Sequence, residues 1–128
     1  MAITSAICNS FKQEILEAEH NFTASTGNTF NLALYDSDAT LNKSTTVYTT
    51  SEELATTGGY TAKGNALTSV TPVLSTDTAV CDFSNTSWTS ASFTARGCLI
   101  FNDSHASDAS VCAIDFGGDK TVTSGTFT

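Results

Sequence analysis

The sequence predicts an all-β fold: an antiparallel, jelly-roll-like β-sandwich with one N-terminal α-helix. Three observations predict it. Threonine and serine number 23 and 16, against 18 charged residues. Threonine is β-branched and suits pleated, half-exposed surface, whereas helical proteins build their surfaces from Glu, Lys and Arg. After Gly27 the apolar residues recur with period two, and turn signals interrupt them roughly every 8–12 residues. Only one stretch has helical spacing. Length points the same way: 128 residues make one domain, large enough to bury roughly 65% of the surface its unfolded chain exposes. The expected division is an N-terminal arm and helix over 1–22 and the sandwich over 28–128.

The helix is expected from Ile3 to Glu19. Ile3, Ile7, Phe11, Ile15 and Ala18 form an apolar stripe, with Lys12, Gln13, Glu14 and Glu17 off it. Thr4 or Ser5 is the expected cap, and His20 at the far end suits the helix dipole. So short a helix is marginal alone, so the stripe is expected to pack on the sheets or on a partner.

The strands follow in order. Phe30 to Tyr35 alternates and stops at the turn Asp36-Ser37-Asp38. Thr45 to Thr50 reads as a Thr-rich strand, and Ser51 to Leu54 as one helical turn. Gly58-Gly59 is a break, and Tyr60 to Thr71 a strand kinked at Gly64-Asn65. Pro72 belongs at an edge or bend. Thr78 to Phe83 is a strand with Ala79, Cys81 and Phe83 on one face. Ser92 to Asn102 is expected to be the longest strand, apolar on both faces from Cys98 to Phe101. A polar loop separates it from Ser110 to Phe116, which is expected to end at Gly117-Gly118-Asp119. Lys120 to Thr128 begins a last strand. Roughly seven to nine strands result, in the pattern of a sandwich or barrel.

Folding the hairpin about His105 pairs Cys98 with Cys112, Leu99 with Val111 and Ile100 with Ser110, within a slip of a residue or two. Cys81, Cys98 and Cys112 read as small buried hydrophobes. The four cysteines are spread apart with no Cys-x-x-Cys, so no zinc site is expected. No basic-then-apolar stretch opens the sequence, so cytoplasmic synthesis and free thiols are expected. No apolar run approaches a membrane span. A net charge of −8 argues against binding nucleic acid or anionic lipid.

Chemistry is thinly represented. His105, near Asp103 and Asp108, is the only triad-like arrangement, and no Gly-x-Ser-x-Gly elbow accompanies it. Asp36-Ser37-Asp38 offers oxygen ligands for calcium but reads first as a turn. Trp88, Tyr35, Tyr48 and Tyr60 are the aromatics a sugar would stack on, with a core role the stronger reading for Trp88. Arg96, the single arginine, is expected to pair with a strand acid, Asp82 or Asp115. No catalytic residue, cofactor or metal is expected.

A resemblance adds to this reading. Residues 1–16, Phe30-Asn31-Leu32-Ala33-Leu34-Tyr35, Gly59-Tyr60-Thr61-Ala62-Lys63-Gly64 and Ser90-Ala91-Ser92-Phe93-Thr94-Ala95-Arg96-Gly97 are similar to small virion proteins of tailed bacteriophages. Similar chains run on past the position of Phe127. The resemblance implies a non-enzymatic structural protein, first of all a capsid cement or decoration protein on the capsid exterior. Its implied partners are the major capsid protein and copies of itself, with no nucleic acid and no membrane. A neck, tail or fibre module binding a surface glycan or another virion protein is the alternative. Because the hairpin Cys98–Phe101/Val111–Phe116 is apolar on both faces, its second face is expected to be covered, by the helix or by a neighbour. Ile7, Phe11, Ile15, Arg96, Ile100 and Ile114 are the interface candidates.

Overall fold

A computed structural model describes residues 2–128; Met1 lies outside the described residues. In chain order the elements are β1 (Ala6–Ile7), α1 (Asn9–Leu16), β2 (Phe30–Tyr35), β3 (Asn65–Ala66), β4 (Ser69–Ser75), β5 (Thr78–Phe83), β6 (Trp88–Asn102) and β7 (Ser110–Phe127). A five-stranded sheet has the order β1-β7-β6-β2-β3, and β4-β5 forms a separate hairpin. All named pairings are antiparallel. The fold is all-β and sandwich-like, with one N-terminal helix, as the sequence predicts.

The centre of the sheet is buried on both faces, and Gly97 to Asn102 are buried without interruption. Ala33, Tyr35, Leu99, Phe101 and Ala113 face one side, where Ile3, Ala39 and Leu41 cover them and Tyr48 packs alongside. On the other side Leu34 and Cys98 lie under Tyr60 and Trp88. Next to them Phe30, Ile100 and Val111 are packed by Phe11, Phe22, Leu67 and Phe83. Loops and short segments therefore do the covering that a second full sheet does in a regular sandwich.

The helix is shorter than expected. Residues before Asn9 are extended: Thr4 N–H donates to Leu41 O at 2.8 Å, Ile3 bridges Leu41 in parallel, and Ala6 and Ile7 pair with Ala113 and Cys112. Backbone pairing along a sheet edge outcompetes the tail of a short helix. Ile3 goes into the core, and Gly97 admits it, since a Cβ there would lie 2.7 Å from Ile3 Cδ1. Cys8, not Thr4 or Ser5, holds the N-cap position and makes no side-chain cap bond. Of the expected stripe Ile3 and Phe11 pack inward, and only Phe11 does so from the helix. Ile7 and Ile15 are 49% and 40% exposed.

Three further expectations change. Thr45 to Thr50 is irregular, held by Tyr48 N–H to Asp108 O at 2.9 Å and Ser110 N–H to Thr46 O at 3.0 Å, with one bridge, Val47 to Ala109. Ser51 to Leu54 is a turn, not helical, with Glu52 at φ 61°. Tyr60 to Thr71 is not one kinked strand: it is irregular as far as Gly64 and supplies only β3 and the start of β4. Pro72 does sit at an irregularity, between Val70 and Val73 of an edge strand.

Strand β7, not β6, is the longest, because it does not stop at Gly117-Gly118-Asp119. Between the pairs Ala95↔Lys120 and Gly97↔Asp115, β6 advances two residues while β7 advances five. The glycines thus form a bulge, with Gly117 at φ 77°. Arg96 stands opposite it and clamps it: Nε lies 3.2 Å from Asp115 and Nη1 3.6 Å from Asp119. Asp115 also accepts Gly117 N–H at 3.0 Å. A second bulge at Val111 shifts the hairpin register, so Cys98 faces Ile114 and Cys112 faces Ile100. All four cysteines are free; Cys81 is exposed rather than buried, while Cys8 and Cys98 are buried.

Ile100, 9% exposed, is covered from within the chain, whereas Ile114 in β7 is exposed. Ile100→Lys buries an unpaired charge and should cost about 3–5 kcal/mol, reading out as an unfolded or strongly destabilised monomer in urea titration. Ile114→Lys should leave the unfolding free energy within about 0.5 kcal/mol of wild type. Equal tolerance of both would show that the face over Ile100 is not sealed by this chain.

Candidate functional site

The polar residues that the sequence offers for chemistry are placed in three clusters, and each is tied to its neighbours. His105 does not meet Asp103 or Asp108. Its Nε2 lies 3.0 Å from Glu19 and its Nδ1 accepts Ser107 N–H at 3.1 Å. Accepting at Nδ1 leaves Nε2 as the donor. His20 lies beyond the helix end and is buried. Asn102 Nδ2 donates to its Nδ1 at 3.1 Å, and its Nε2 donates to Glu14 at 3.2 Å. The two imidazoles stack with centroids 6.1 Å apart. This cluster pins the segment after α1 to the end of β6, and both rings have their nitrogens occupied.

The second cluster centres on Glu53, which the sequence reading passed over. Its carboxylate accepts the Tyr60 hydroxyl at 2.7 Å, the Lys63 N–H at 2.7 Å and the Tyr48 hydroxyl. Tyr60 Oη in turn accepts Leu34 N–H at 3.0 Å. Asp108 and Asp103, the acids expected beside His105, bind Lys63 Nζ at 2.8 and 3.0 Å instead, and their hydrogen bonds push the ammonium above its usual range. Burial raises Tyr35, Tyr48 and Tyr60, and the Glu53 carboxylate adds to it in each case. The only sequence signal for this hub was an acid between two tyrosines in a Gly-rich stretch.

In the third cluster Asp36, Asp38 and Glu52 bring carboxylate oxygens within 4.8 Å of one another. Asp38 N–H donates to Asp36 Oδ1 at 2.9 Å, so the turn expected there is present. Asp38 and Glu52 are exposed. The aromatics do not form a sugar platform. Trp88 is 4% exposed and sits among Tyr60, Phe93 and Phe127. Tyr35 and Tyr60 are buried too.

What remains accessible is apolar. On the β4-β5 hairpin every residue from Val70 to Asp82 is exposed, with Val73 at 60% and Leu74 at 76%. Cross-strand pairing puts Val73 beside Val80 and Leu74 beside Ala79. One face therefore carries Val70, Val73 and Val80, and the other Leu74, Ala79 and Cys81. The root is anchored through Phe83, whose ring packs 5.8 Å from Phe30 and 6.1 Å from Phe22, and through Thr71, whose Oγ1 accepts Ala24 N–H at 3.0 Å. The turn residue Thr76 has φ 56°, an unusual place for a β-branched side chain. Two-stranded ribbons are marginal in water without packing, and this one shows apolar side chains on both faces.

Of the interface candidates, Ile7, Ile15 and Ile114 are on the surface, Phe11 is half-buried, and Ile100 is inside the core. Arg96 is engaged in its bulge clamp. The second face of the β6-β7 hairpin, expected to be covered by the helix or a neighbour, is covered from within the chain; a large exposed apolar surface lies instead on β4-β5. Compared with protein-family models, curated proteins and solved structures, the chain matches none.

With all three tyrosines raised, native protein should show no tyrosinate absorbance step near pH 10. The unfolded chain loses those protons first, so this contribution to stability is intact below about pH 10 and falls as pH rises above it. Glu53→Ala should cost about 3 kcal/mol, lower the melting temperature by roughly 10 °C and let the tyrosinates form at lower pH than in the unmutated protein, though burial still holds them up. A native titration step near pH 10 in the unmutated protein would contradict the buried hub.

Proposed function

We propose that this is a non-enzymatic structural protein of a phage virion, of the capsid cement or decoration type, that stabilises the shell of the major capsid protein. Sequence resemblance supplies the setting, and one structural observation supports the role: the β4-β5 arm presents Val70, Val73, Leu74 and Val80 to solvent. Covering those four side chains is worth about 5 kcal/mol after allowing for incomplete burial. That is a substantial share of the free energy a specific contact needs. The body supports such a role because its ion pairs and buried hydroxyls hold loops against the sheet and give the arm a rigid base. The chain's charge of −8 keeps the outer surface from collecting host polyanions.

The test is location and copy number. Quantified virion gels should find the protein in proportion to shell subunits, and cryo-electron microscopy should place it on the capsid exterior. A few copies at the portal end would point instead to a neck, tail or fibre component. The doubly substituted arm Val73→Thr/Leu74→Thr should melt within about 2 °C of wild type, because both residues are exposed. It should nevertheless occupy particles roughly tenfold less, the effect of losing about 1.4 kcal/mol of binding. Full occupancy by this variant would remove the arm from the contact.

A further inference from the structure

We propose that the outer edge of β5, with the trough beside it, takes up an extended strand of basic, apolar character from a partner chain. The proposal deepens the reading of the arm as the contact element and rests on it. Both strands of the hairpin are edges, but they differ. β4 is interrupted by Pro72 at its irregularity, a device that spoils edge pairing. From Thr78 to Phe83 the edge of β5 has no proline, no lysine and no bulge, the features by which soluble proteins guard edges. The pairs Ser75↔Thr78 and Val73↔Val80 flank a two-residue turn. In such a hairpin the main-chain groups of Ala79 and Cys81 face away from β4. Phe83 N–H is satisfied by Asp82 Oδ1 at 2.8 Å, so the open edge ends there.

Beside this edge lies a trough of about 410 Å³, with Leu32, Leu67, Ile100, Cys81 and Phe83 among its lining residues. A strand added along β5 would place alternate side chains over that apolar floor while its backbone met Ala79 and Cys81. Strand addition works in this way elsewhere: backbone bonds supply affinity and pockets for alternate side chains supply selectivity. A third strand also removes the weakness of an unsupported two-stranded ribbon.

Charge selects the occupant. Between Lys63 and Arg96 the sequence contains no base, and its only acids are Asp77 and Asp82. Asp82 lines the trough, and among the described residues neither acid has an ion-pair partner. A second copy would bring the same two acids on a chain of charge −8. A strand with Lys or Arg between its apolar positions complements both the floor and the rim.

The probe is the capped peptide Lys-Val-Thr-Val-Lys-Val-Thr-Val-Lys, titrated into the full chain and followed by amide NMR. The Ala79 and Cys81 amides should shift, and their hydrogen exchange should slow roughly tenfold. Raising salt to about 0.3 M should weaken binding several-fold, and a peptide with Glu in place of each Lys should bind roughly tenfold less tightly. Ala79→Pro should abolish the protection. Asp82→Lys, which keeps the main-chain groups of Ala79 and Cys81 although it frees the Phe83 N–H, should reverse the preference between the two peptides. Unprotected Ala79 and Cys81 amides at saturating peptide overturn the proposal, as does an unchanged preference in Asp82→Lys. Protection that appears without peptide and grows with protein concentration overturns it in favour of self-pairing. A peptide that binds although virions lack the protein would sink the capsid reading and leave strand uptake standing. Particle-borne protein whose β5 ignores the peptide would do the reverse.

Discussion

The fold depends on covering a hairpin that is apolar on both faces. In β6 the run Gly97 to Asn102 is buried throughout, and its partners in β2 and β7 are equally apolar. A strand of that kind cannot lie at a water-facing sheet surface, so material must be found for two covers. The chain finds it without a second complete sheet. Ile3, Ala39 and Leu41 close one side. Aromatics from the helix, two connections and the end of β5 (Phe11, Phe22, Tyr60 and Phe83) help to close the other. This economy explains why the first residues abandon the helix: an edge strand that delivers Ile3 to the core is worth more than another turn of α1.

Covers made of loops carry many backbone groups that no sheet ladder satisfies, and buried ones must be bonded elsewhere. The charged and aromatic polar residues serve that purpose. Glu53 holds two tyrosine hydroxyls and the Lys63 amide, Tyr35 donates to Thr49 O at 2.6 Å, and Ser110 Oγ donates to Thr45 O at 2.6 Å. Arg96 lets β7 run past a diglycine by clamping the acids on either side of it. Residues that in isolation suggest catalysis or cation binding are drawn into this work, and a histidine with both ring nitrogens engaged is poorly placed to shuttle protons.

The β4-β5 arm escapes the same logic. Its side chains are neither inside a cover nor paired with charge, and its root alone is anchored. An apolar ribbon whose turn places a threonine at positive φ gains little from the monomer. Its stability is therefore the part of the molecule most open to a partner, in contrast to the sheet, which is satisfied from within.

The sequence by itself determined the fold class, the span of β2, the span of β5, the polar loop after β6 and the turn at Asp36, because these are local. Alternation, β-branching and side-chain turn bonds act over a few residues. It also read the two-sided burial of the β6-β7 hairpin correctly. What it missed was decided over long range. Ile3 and Ile7 have helical spacing, yet Ile3 bridges Leu41 and Ile7 pairs with Cys112, more than a hundred residues away. The bulge at Gly117 reads locally as a strand end until Arg96 arrives from the neighbouring strand. Glu53 becomes a hub only when turns bring Tyr48, Tyr60 and Lys63 around it. Val73 and Leu74 look like core residues in any window, and only the tertiary structure leaves them in water, because the sheet is already covered by other parts of the chain.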